Sequence, residues 1–213
     1  LLVIGAGITG AGIARDAAMR GLDVALVEAK DFASGTSSRS SKMVHGGLRY
    51  LQQGEIGLVK EAASERKILH RIAPHLARPM PFIVPAHSKG VLAKLKTGMW
   101  MFEKLGSVPK TMRHTDWSKA ELAANEPAMR TDALSGAVVY TDYLTDDARL
   151  TLANVRSAKA AGATVISYAP VCCILEEGGK VVGAEIKSSL DGETLEATVR
   201  AKVIVNAAGP WVD

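Results

Sequence analysis

The chain opens with LLVIGAGITGAGIARDAAMRGLDVALVE, residues 1–28, in which signals for a strand, a turn, a helix and a second strand follow one another. The first four residues form a short apolar run that suits a buried parallel strand. Gly5, Gly7 and Gly10 then give the spacing G-x-G-x-x-G. In this spacing the first glycine permits a tight turn, the second lets the backbone approach a pyrophosphate, and the third lets the helix pack closely on the strand.

The residues after the glycine turn complete the pattern. We expect Ile8 and the alanines at positions 11, 14, 17 and 18 to form the helix face that lies near the sheet. Gly21 stands where a helix commonly ends in a residue of positive φ. The second strand ends at Glu28, where dinucleotide-binding proteins place the acid that binds the ribose hydroxyls. The combination predicts a dinucleotide site without a 2′-phosphate, and a purely structural glycine turn is the alternative.

The next segment, DFASGTSSRSSKMVHGGLRYL at residues 31–51, separates FAD from NAD. A doubly wound NAD domain usually continues with another helix and strand, whereas this segment is rich in hydroxyl groups and glycine. A long polar loop in a compact domain is usually functional. We expect its hydroxyls and backbone amides to bind a pyrophosphate and a ribityl chain, and Gly46 and Gly47 to leave room for a flavin ring. The alternative is an ordinary loop with a helix cap at Ser40 or Ser41.

Composition excludes several other classes of protein. The net charge of +4 mildly favours anionic ligands, but the basic residues are scattered and do not predict a nucleic-acid surface. The neighbouring Cys172 and Cys173 point to opposite faces of a strand, so neither a disulfide nor a metal site is expected. No apolar run has the length of a membrane span. The chain begins inside a strand without an initiator Met and stops directly after a segment that resembles a binding loop. We therefore expect it to be the N-terminal portion of a longer protein whose C-terminal remainder is absent.

The middle of the chain predicts two amphipathic helices around a proline-rich strand. The first helix has its apolar stripe at Ile56, Val59, Ala63, Ile68 and Leu69. The prolines of RPMPFIVPA allow only an edge or irregular strand there. The second helix places apolar residues at Leu92, Leu95, Met99, Phe102 and Leu105 with lysines alongside, so it either packs on the protein or lies on a membrane surface.

From residue 118 onwards the sequence predicts two helices with capping residues and then a series of strands. SKAE at residues 118–121 is a capping box, and a later helix is expected to be capped by Thr145, with Asp146 and Asp147 in its first turn. Five strand-like segments follow, with hairpin turns at Gly178-Gly179 and at residues 191–192. The sequence therefore predicts an antiparallel meander that returns to the buried strand VIVNAAG.

Four blocks of sequence carry a resemblance to a known family: IGAGITGAGIARDAAMRGL, DFASGTSSRSSKMVHGGLRYL, TDDARLTLAN and the terminal NAAGPW. With these blocks the chain resembles the FAD-dependent glycerol-3-phosphate dehydrogenases of the aerobic respiratory type over essentially its whole length. The second and third blocks are more specific than the glycine fingerprint. Glycerol-3-phosphate oxidases share most of the blocks, whereas the anaerobic dehydrogenases differ in the loop.

The resemblance implies an α/β fold, a Rossmann-like FAD-binding domain of the glutathione-reductase type with part of an inserted antiparallel substrate-domain sheet. It assigns residues 1–76 and 146–213 to the FAD-binding domain and residues 77–145 to the substrate domain. It also implies oxidation of sn-glycerol 3-phosphate at C2 to dihydroxyacetone phosphate, with hydride passing to FAD and electrons to a quinone. The expected location is cytoplasmic, peripherally associated with the inner membrane.

Three alternatives to this function stay open. One is an oxidase that uses oxygen, another is an FAD-binding fragment without activity, and the third is a flavoenzyme of the same fold that oxidises amines or hydroxy acids. The oligomeric state also stays open, with a homodimer as one alternative. No metal is implied.

The resemblance further implies which residues bind the cofactor. Those expected at the ADP half are Gly5, Ala6, Gly7, Ile8, Thr9, Gly10, Glu28 and Ala29, with the Val171 backbone on the adenine side. Those expected at the pyrophosphate and ribityl chain are Thr36, Ser37, Ser38 and Lys42. Those expected at the flavin are His45, Gly46, Gly47, Leu48, Ala208 and Gly209.

Three residues are implied to act on the substrate. Arg49 and Tyr50 are expected to face it, and Arg49 is the local candidate for a cation that holds the phosphate dianion. His45 is the candidate for the base that accepts the C2 hydroxyl proton, because an imidazole titrates near neutral pH. The alternative is that His45 only hydrogen-bonds the flavin or the backbone.

Overall fold

The computed structural model describes residues 1–46, 50–51, 53–190 and 193–212. Two compact units divide the chain: unit 1 comprises Leu1–Lys42 and Asp146–Asp213, and unit 2 comprises Met43–Thr145. The sequence places the first domain boundary after residue 76, whereas the contacts place it after Lys42, because the helix that follows packs within unit 2. The contacts also divide the chain between Thr145 and Asp146, and the assignment of the two parts to cofactor and substrate stays a prediction.

Strands and helices alternate in the first part of the chain and strands dominate the last. The described strands are β1 (Leu2–Ile4), β2 (Ala25–Val27), β3 (Met43–Val44), β4 (Ala77–Ala86), β5 (Thr115–Ser118), β6 (Gly136–Thr145), β7 (Thr164–Ile166), β8 (Val171–Glu177), β9 (Lys180–Leu190), β10 (Glu193–Arg200) and β11 (Ile204–Asn206). The described helices are α1 (Ile8–Met19), α2 (Ile56–Ile72), α3 (Lys89–Leu105), α4 (Lys119–Asn125) and α5 (Asp147–Ala160).

Unit 1 contains a parallel sheet in the order β11-β1-β2-β7. Its core forms where the alanines of α1 pack with Val3 and Leu26 of the sheet and with Val155 and Ala158 of α5. Small side chains let α1 approach both elements closely, as the alanine spacing predicts. Ile8, by contrast, was expected on this face and is exposed, because it lies at the helix start beside the glycine turn.

The last third of unit 1 is an antiparallel sheet in the order β10-β9-β8, which confirms the predicted meander. Gly178 and Gly179 both have positive φ and form the turn between β8 and β9. This sheet shares a core with the parallel sheet, in which Ala184 and Ile186 pack with Leu2 and Val27. The parallel and antiparallel sheets confirm the predicted α/β class.

Unit 2 is built on the long strand β6, which pairs with β3 and β5 and, on its other side, with β4. The proline-rich segment is β4, at the edge of this sheet, as predicted for a strand that lacks several amide donors. Met99 and Phe102 of α3 form a core with Val59 of α2 and Val138 of β6. The apolar stripe of α3 therefore packs on the protein.

Two helix details differ from the expectation. The N-cap of α5 is Asp146 and not Thr145, because the Asp146 Oδ1 accepts a hydrogen bond from the Arg149 amide at 3.1 Å. In α2 the buried positions are Val59, Ala63 and Arg66, whereas Ile56 and Ile68 are exposed. Among the described residues, no helix combines the length and apolar character needed to span a bilayer.

Candidate functional site

The glycine turn between β1 and α1 has space for no other residue at its first and third positions. Gly5 has a φ of +97°, and a Cβ on it would lie 2.7 Å from the Ala207 carbonyl oxygen. A Cβ on Gly10 would overlap the Gly5 carbonyl oxygen. The turn therefore packs backbone against backbone, between the start of α1 and the end of β11.

The carboxylate of Glu28 lies against this turn, directly after β2. Its Oε2 accepts a hydrogen bond from the Ala6 amide at 2.7 Å, and its Oε1 accepts one from the Lys30 amide at 3.0 Å. Each carboxylate oxygen has a second lone pair. Glu28 is thus fixed at the carboxyl edge of the parallel sheet and can still accept hydrogen bonds from ribose hydroxyls.

The hydroxyl-rich loop meets the first turn of α1. Residues Thr36–Ser38 form a short 3-10 turn, and the Ser37 Oγ accepts a hydrogen bond from the Ile8 amide at 2.9 Å. A Cβ on Gly7 would lie 3.1 Å from the same Oγ. The first turn of α1 contains no acidic residue, so its amides and the helix dipole favour an anion. We call residues Gly5–Gly10 and Thr36–Ser38 the glycine–serine cradle.

Lys42 ends this loop with its charge already paired. Its ammonium forms an ion pair with Asp147, the first residue of α5, and donates to the Ser38 carbonyl oxygen at 2.7 Å. The Ser40 hydroxyl also donates to Asp147, at 2.6 Å. Burial alone would raise the pKa of Asp147, but the hydrogen bonds from Lys42 and Ser40 outweigh it and lower that pKa to about 2. These contacts of Lys42 and Ser40 with Asp147, which we call the Asp147 clasp, fix the loop to α5.

The end of β11 and the start of β8 reach the same edge of unit 1. The Ala207 amide donates to the Ile4 carbonyl at 2.8 Å, which places Ala208 and Gly209 just after the strand beside the glycine turn. The Ala169 amide donates to the Glu28 carbonyl at 2.8 Å, and Val171 follows two residues later. Unit 1 therefore brings together the predicted ADP, pyrophosphate and adenine-side residues.

The remaining predicted residues belong to unit 2 or lie outside the described residues. Gly47, Leu48 and Arg49 are among those outside. Tyr50 is exposed. His45 is described, and its side chain, which is 55% exposed, has its Nδ1 3.8 Å from the Oδ2 of Asp142.

Asp142 belongs to a group of charges that the sequence analysis missed. Its side chain is 2% exposed, and its Oδ1 accepts a hydrogen bond from the Arg66 Nη1 at 2.6 Å. The Arg66 guanidinium, itself 4% exposed, lies 5.2 Å from the centre of the Tyr143 ring and 5.8 Å from that of Phe102. We call His45, Arg66 and Asp142 the charge cluster.

Neighbouring side chains of unit 2 leave no space for a side chain at Gly46. A Cβ on it would lie 2.5 Å from the Arg66 Nη1 and 2.7 Å from the Phe102 ring. Gly46 is expected from the sequence to leave room for a flavin ring, whereas the described structure fills that space with protein. The role of Gly46 at the cofactor stays a prediction.

Two signals could have revealed the charge cluster. Arg66 follows Val59 and Ala63 at the spacing of one helix face, so it interrupts the buried stripe of α2. Asp142 interrupts the apolar strand GAVVYTDYLT. A charge in a buried stripe and a charge in a buried strand predict each other as partners, because a buried charge requires an opposite one.

The fold and the cradle define the class of protein. Unit 1 has the three features that bind the ADP and pyrophosphate portion of a dinucleotide. They are glycines at which any Cβ would collide with the backbone, a helix whose first turn has no acidic residue, and a carboxylate at the end of β2. The chain belongs to the FAD dependent oxidoreductase (DAO) family, which matches residues 1–213. The family match confirms the predicted cofactor class.

Individual relatives agree with the resemblance. The chain is 44% identical over 216 aligned residues to the aerobic glycerol-3-phosphate dehydrogenase of Staphylococcus epidermidis and 45% identical to that of Staphylococcus aureus. It covers 38% of each relative and is itself covered fully. The crystal structure of glycerol-3-phosphate dehydrogenase from Bacillus halodurans, complexed with FAD, matches 99% of this chain with a TM-score of 0.75 and 38% identity, over 34% of its own length. The chain thus spans about two fifths of the curated relatives it matches.

Proposed function

We propose that the protein containing this chain oxidises sn-glycerol 3-phosphate to dihydroxyacetone phosphate with FAD as the hydride acceptor. The observation that carries the proposal is the identity of 44% to an aerobic glycerol-3-phosphate dehydrogenase over the whole chain. The geometry of the glycine–serine cradle supports the cofactor half of it. The substrate half depends on the likeness to the named relatives.

Under this proposal residues 1–76 and 146–213 serve the cofactor and residues 77–145 the substrate. The amides at the start of α1 bind the pyrophosphate, Glu28 accepts hydrogen bonds from the ribose, and the hydroxyls of Thr36–Ser38 with Lys42 hold the adjoining chain. The further proposed contacts are those of Ala29, Gly46, Gly47, Leu48, Val171, Ala208 and Gly209. Bound FAD supplies the two-electron acceptor for the hydride that leaves C2.

The substrate requires a cation for its phosphate and a base for its C2 hydroxyl. We assign the cation to Arg49, whose guanidinium offers paired donors to phosphate oxygens. Tyr50 and the exposed His45 complete the proposed set, with His45 as the base. A Glu or Asp base would add negative charge near a dianion, whereas neutral imidazole does not.

Flavin absorbance tests the proposed cofactor, and bleaching of that absorbance tests the proposed substrate. The purified holoenzyme should be yellow, and anaerobic addition of glycerol 3-phosphate should bleach it. Glycerol, proline, glycine and lactate, as a panel of other alcohols and amines, should leave it oxidised. A yellow protein bleached by an amino acid alone would contradict the substrate, and a colourless protein unable to take up added FAD would contradict the cofactor.

We propose a quinone, and not oxygen, as the final acceptor, because the relatives with high identity are named dehydrogenases. Turnover with a soluble quinone analogue should exceed turnover with oxygen by at least about tenfold, equivalent to about 1.4 kcal/mol in the barrier. Stoichiometric hydrogen peroxide at the same rate would identify an oxidase instead.

For the proposed peripheral association with a membrane, α3 offers the surface. Its outer side exposes Trp100 and Met101 beside Lys94 and Lys104, a combination suited to an anionic lipid surface. The holoenzyme should float with vesicles containing phosphatidylglycerol, and Trp100→Ser should weaken this. The matched control is Trp211→Ser, since Trp211 is also an exposed tryptophan but belongs to unit 1. Equal flotation of both variants and wild type would exclude α3 as the contact.

A further inference from the structure

The buried carboxylate of Asp142 has one oxygen engaged and one directed at His45. Its Oδ1 accepts from the Arg66 Nη1 at 2.6 Å and from the Tyr143 amide at 3.1 Å. Its Oδ2 is the oxygen nearest the His45 Nδ1, at 3.8 Å. The carboxylate is therefore anchored from the protein interior and presents its other side to the imidazole.

Arg66 explains why a carboxylate can stay at this buried position. A buried carboxylate needs an opposite charge and satisfied lone pairs, and Arg66 supplies the charge from α2. The guanidinium in turn lies over two aromatic rings, those of Phe102 and Tyr143. The orientation of Asp142 is thus fixed by contacts on β6, α2 and α3, independently of any ligand.

We propose that Asp142 is a positioning residue for His45, which it holds with the Nδ1–H towards its Oδ2 so that Nε2 is the free basic nitrogen. This inference rests on the proposed function, in which His45 is the base. A carboxylate beside one ring nitrogen fixes the tautomer of a histidine and stabilises the imidazolium that forms when the other nitrogen takes a proton. The exposed ring can reach a ligand while its anchor stays buried.

The proton step that follows is balanced. The O–H bond at C2 of the substrate breaks and a bond forms between its proton and the His45 Nε2. Bound FAD would accept the hydride from C2, as in the proposed function, so that the C2–O bond would become a carbonyl. The positive charge gained by His45 is opposite to that of Asp142, which in turn stays paired with Arg66.

The tautomer of His45 can be measured in the wild-type protein, with Arg66 and Asp142 unchanged. In the FAD-loaded holoenzyme with ¹⁵N-labelled histidine, long-range ¹H–¹⁵N spectra distinguish Nδ1–H from Nε2–H, and His45→Gln identifies the signal. We expect Nδ1–H in the neutral ring. An Nε2–H tautomer would overturn the proposal.

Kinetics of substituted holoenzymes give the second test. Asp142→Asn should lower kcat by about tenfold to a hundredfold, part of the 10²–10⁴ that a general base contributes, while KM and FAD content stay within about twofold. The same substitution in a His45→Gln background should lower kcat no further. The control is Asp116→Asn, since Asp116 is a half-exposed partner of Lys96 in the same sheet, and its kcat should match wild type.

Two results would overturn the positioning role. One is that the kcat losses of Asp142→Asn and His45→Gln multiply in the double variant, and the other is that Asp142→Asn changes only KM. If Asp142→Asn does not fold, the tautomer measured in the wild-type holoenzyme decides alone. Failure of the proposed function is a separate result: an FAD-loaded wild-type protein that does not turn over glycerol 3-phosphate contradicts the substrate, and the tautomer still tests the pairing of His45 with Asp142.

Discussion

The glycine–serine cradle and the charge cluster are polar sites that the protein holds in opposite ways. In the cradle, backbone packs on backbone, and side chains bind backbone groups: Ser37 accepts from the Ile8 amide and Glu28 accepts from the Ala6 amide. In the charge cluster, the oppositely charged side chains of Arg66 and Asp142 meet in the interior, and the exposed His45 lies beside Asp142. The cradle should therefore be sensitive to added atoms, and the cluster to an unbalanced charge.

This difference also decides where each site can be altered without unfolding its unit. An added methyl in the cradle has to displace backbone, which cannot move independently of β1 and α1. In the cluster, a pair of charges can be replaced together by apolar side chains of similar size, because the remaining interior is apolar.

Removing one charge of the buried pair should give the largest loss of stability. Arg66→Met leaves the buried Asp142 carboxylate without its opposite charge, and we expect the free energy of unfolding to fall by about 3–5 kcal/mol. Urea denaturation of the holoenzyme, followed by circular dichroism, measures this. Lys60→Met is the control on the exposed side of α2 and should change stability by less than about 0.5 kcal/mol.

The double variant Arg66→Met with Asp142→Leu sharpens the same comparison. Because both charges are gone, most of the lost stability should return. A double variant as unstable as Arg66→Met would mean that packing of the guanidinium on Phe102 and Tyr143, and not charge balance, holds the cluster.

An added methyl in the cradle should give the next largest effect. Gly10→Ala brings a Cβ into the Gly5 carbonyl oxygen, so we expect a loss of about 3 kcal/mol and FAD binding too weak to survive gel filtration. Gly12→Ala is a matched control on the same helix, because a Cβ there meets nothing within 4 Å; it should stabilise α1 by about 0.5–1 kcal/mol. Equal stability and FAD content of the two variants would contradict the cradle geometry.

The same contrast explains what the sequence could reveal. The cradle was predictable because its requirements are local: Gly5 and Gly10 are needed where backbone approaches backbone, and Glu28 follows at a fixed distance along a βαβ unit. The cap at Ser118 and the edge position of the proline-rich β4 were predictable for the same reason. Each depends on residues within one element or its neighbour.

The charge cluster was not predictable in this way, because positions 45, 66 and 142 are joined only by tertiary packing. Asp147 shows the same limit on a smaller scale. Its place in the first turn of α5 indicates a helix-dipole role, but nothing local indicates that Lys42 and Ser40 would bind it. Helix starts also depend on such details, since Asp146 and not Thr145 caps α5.

Acid should loosen the hydrogen bonds by which Lys42 and Ser40 bind Asp147. Since the pKa of Asp147 is about 2 in the folded protein against 3.8 as its ordinary value, its ionised form contributes stability that is fully present above about pH 5 and is lost as the pH falls towards 2. The difference is worth about 2 kcal/mol. Asp147→Asn should remove that part of the pH dependence in urea denaturation, and Asp146→Asn should not, because Asn caps a helix as well as Asp does. An unchanged acid limb in Asp147→Asn would contradict the clasp.

Removal of a single hydroxyl from the cradle should give the smallest effect. Ser37→Ala takes away the acceptor of the Ile8 amide at the start of α1, which should lower the free energy of unfolding by about 1 kcal/mol. If Ser37 also lies at the pyrophosphate, as proposed, the dissociation constant for FAD should rise about fivefold, the equivalent of about 1 kcal/mol. Ser41→Ala removes an exposed hydroxyl from the same loop and should change neither quantity. Fluorescence titration with FAD distinguishes the two roles: a loss of stability with unchanged affinity would leave Ser37 as a helix cap alone.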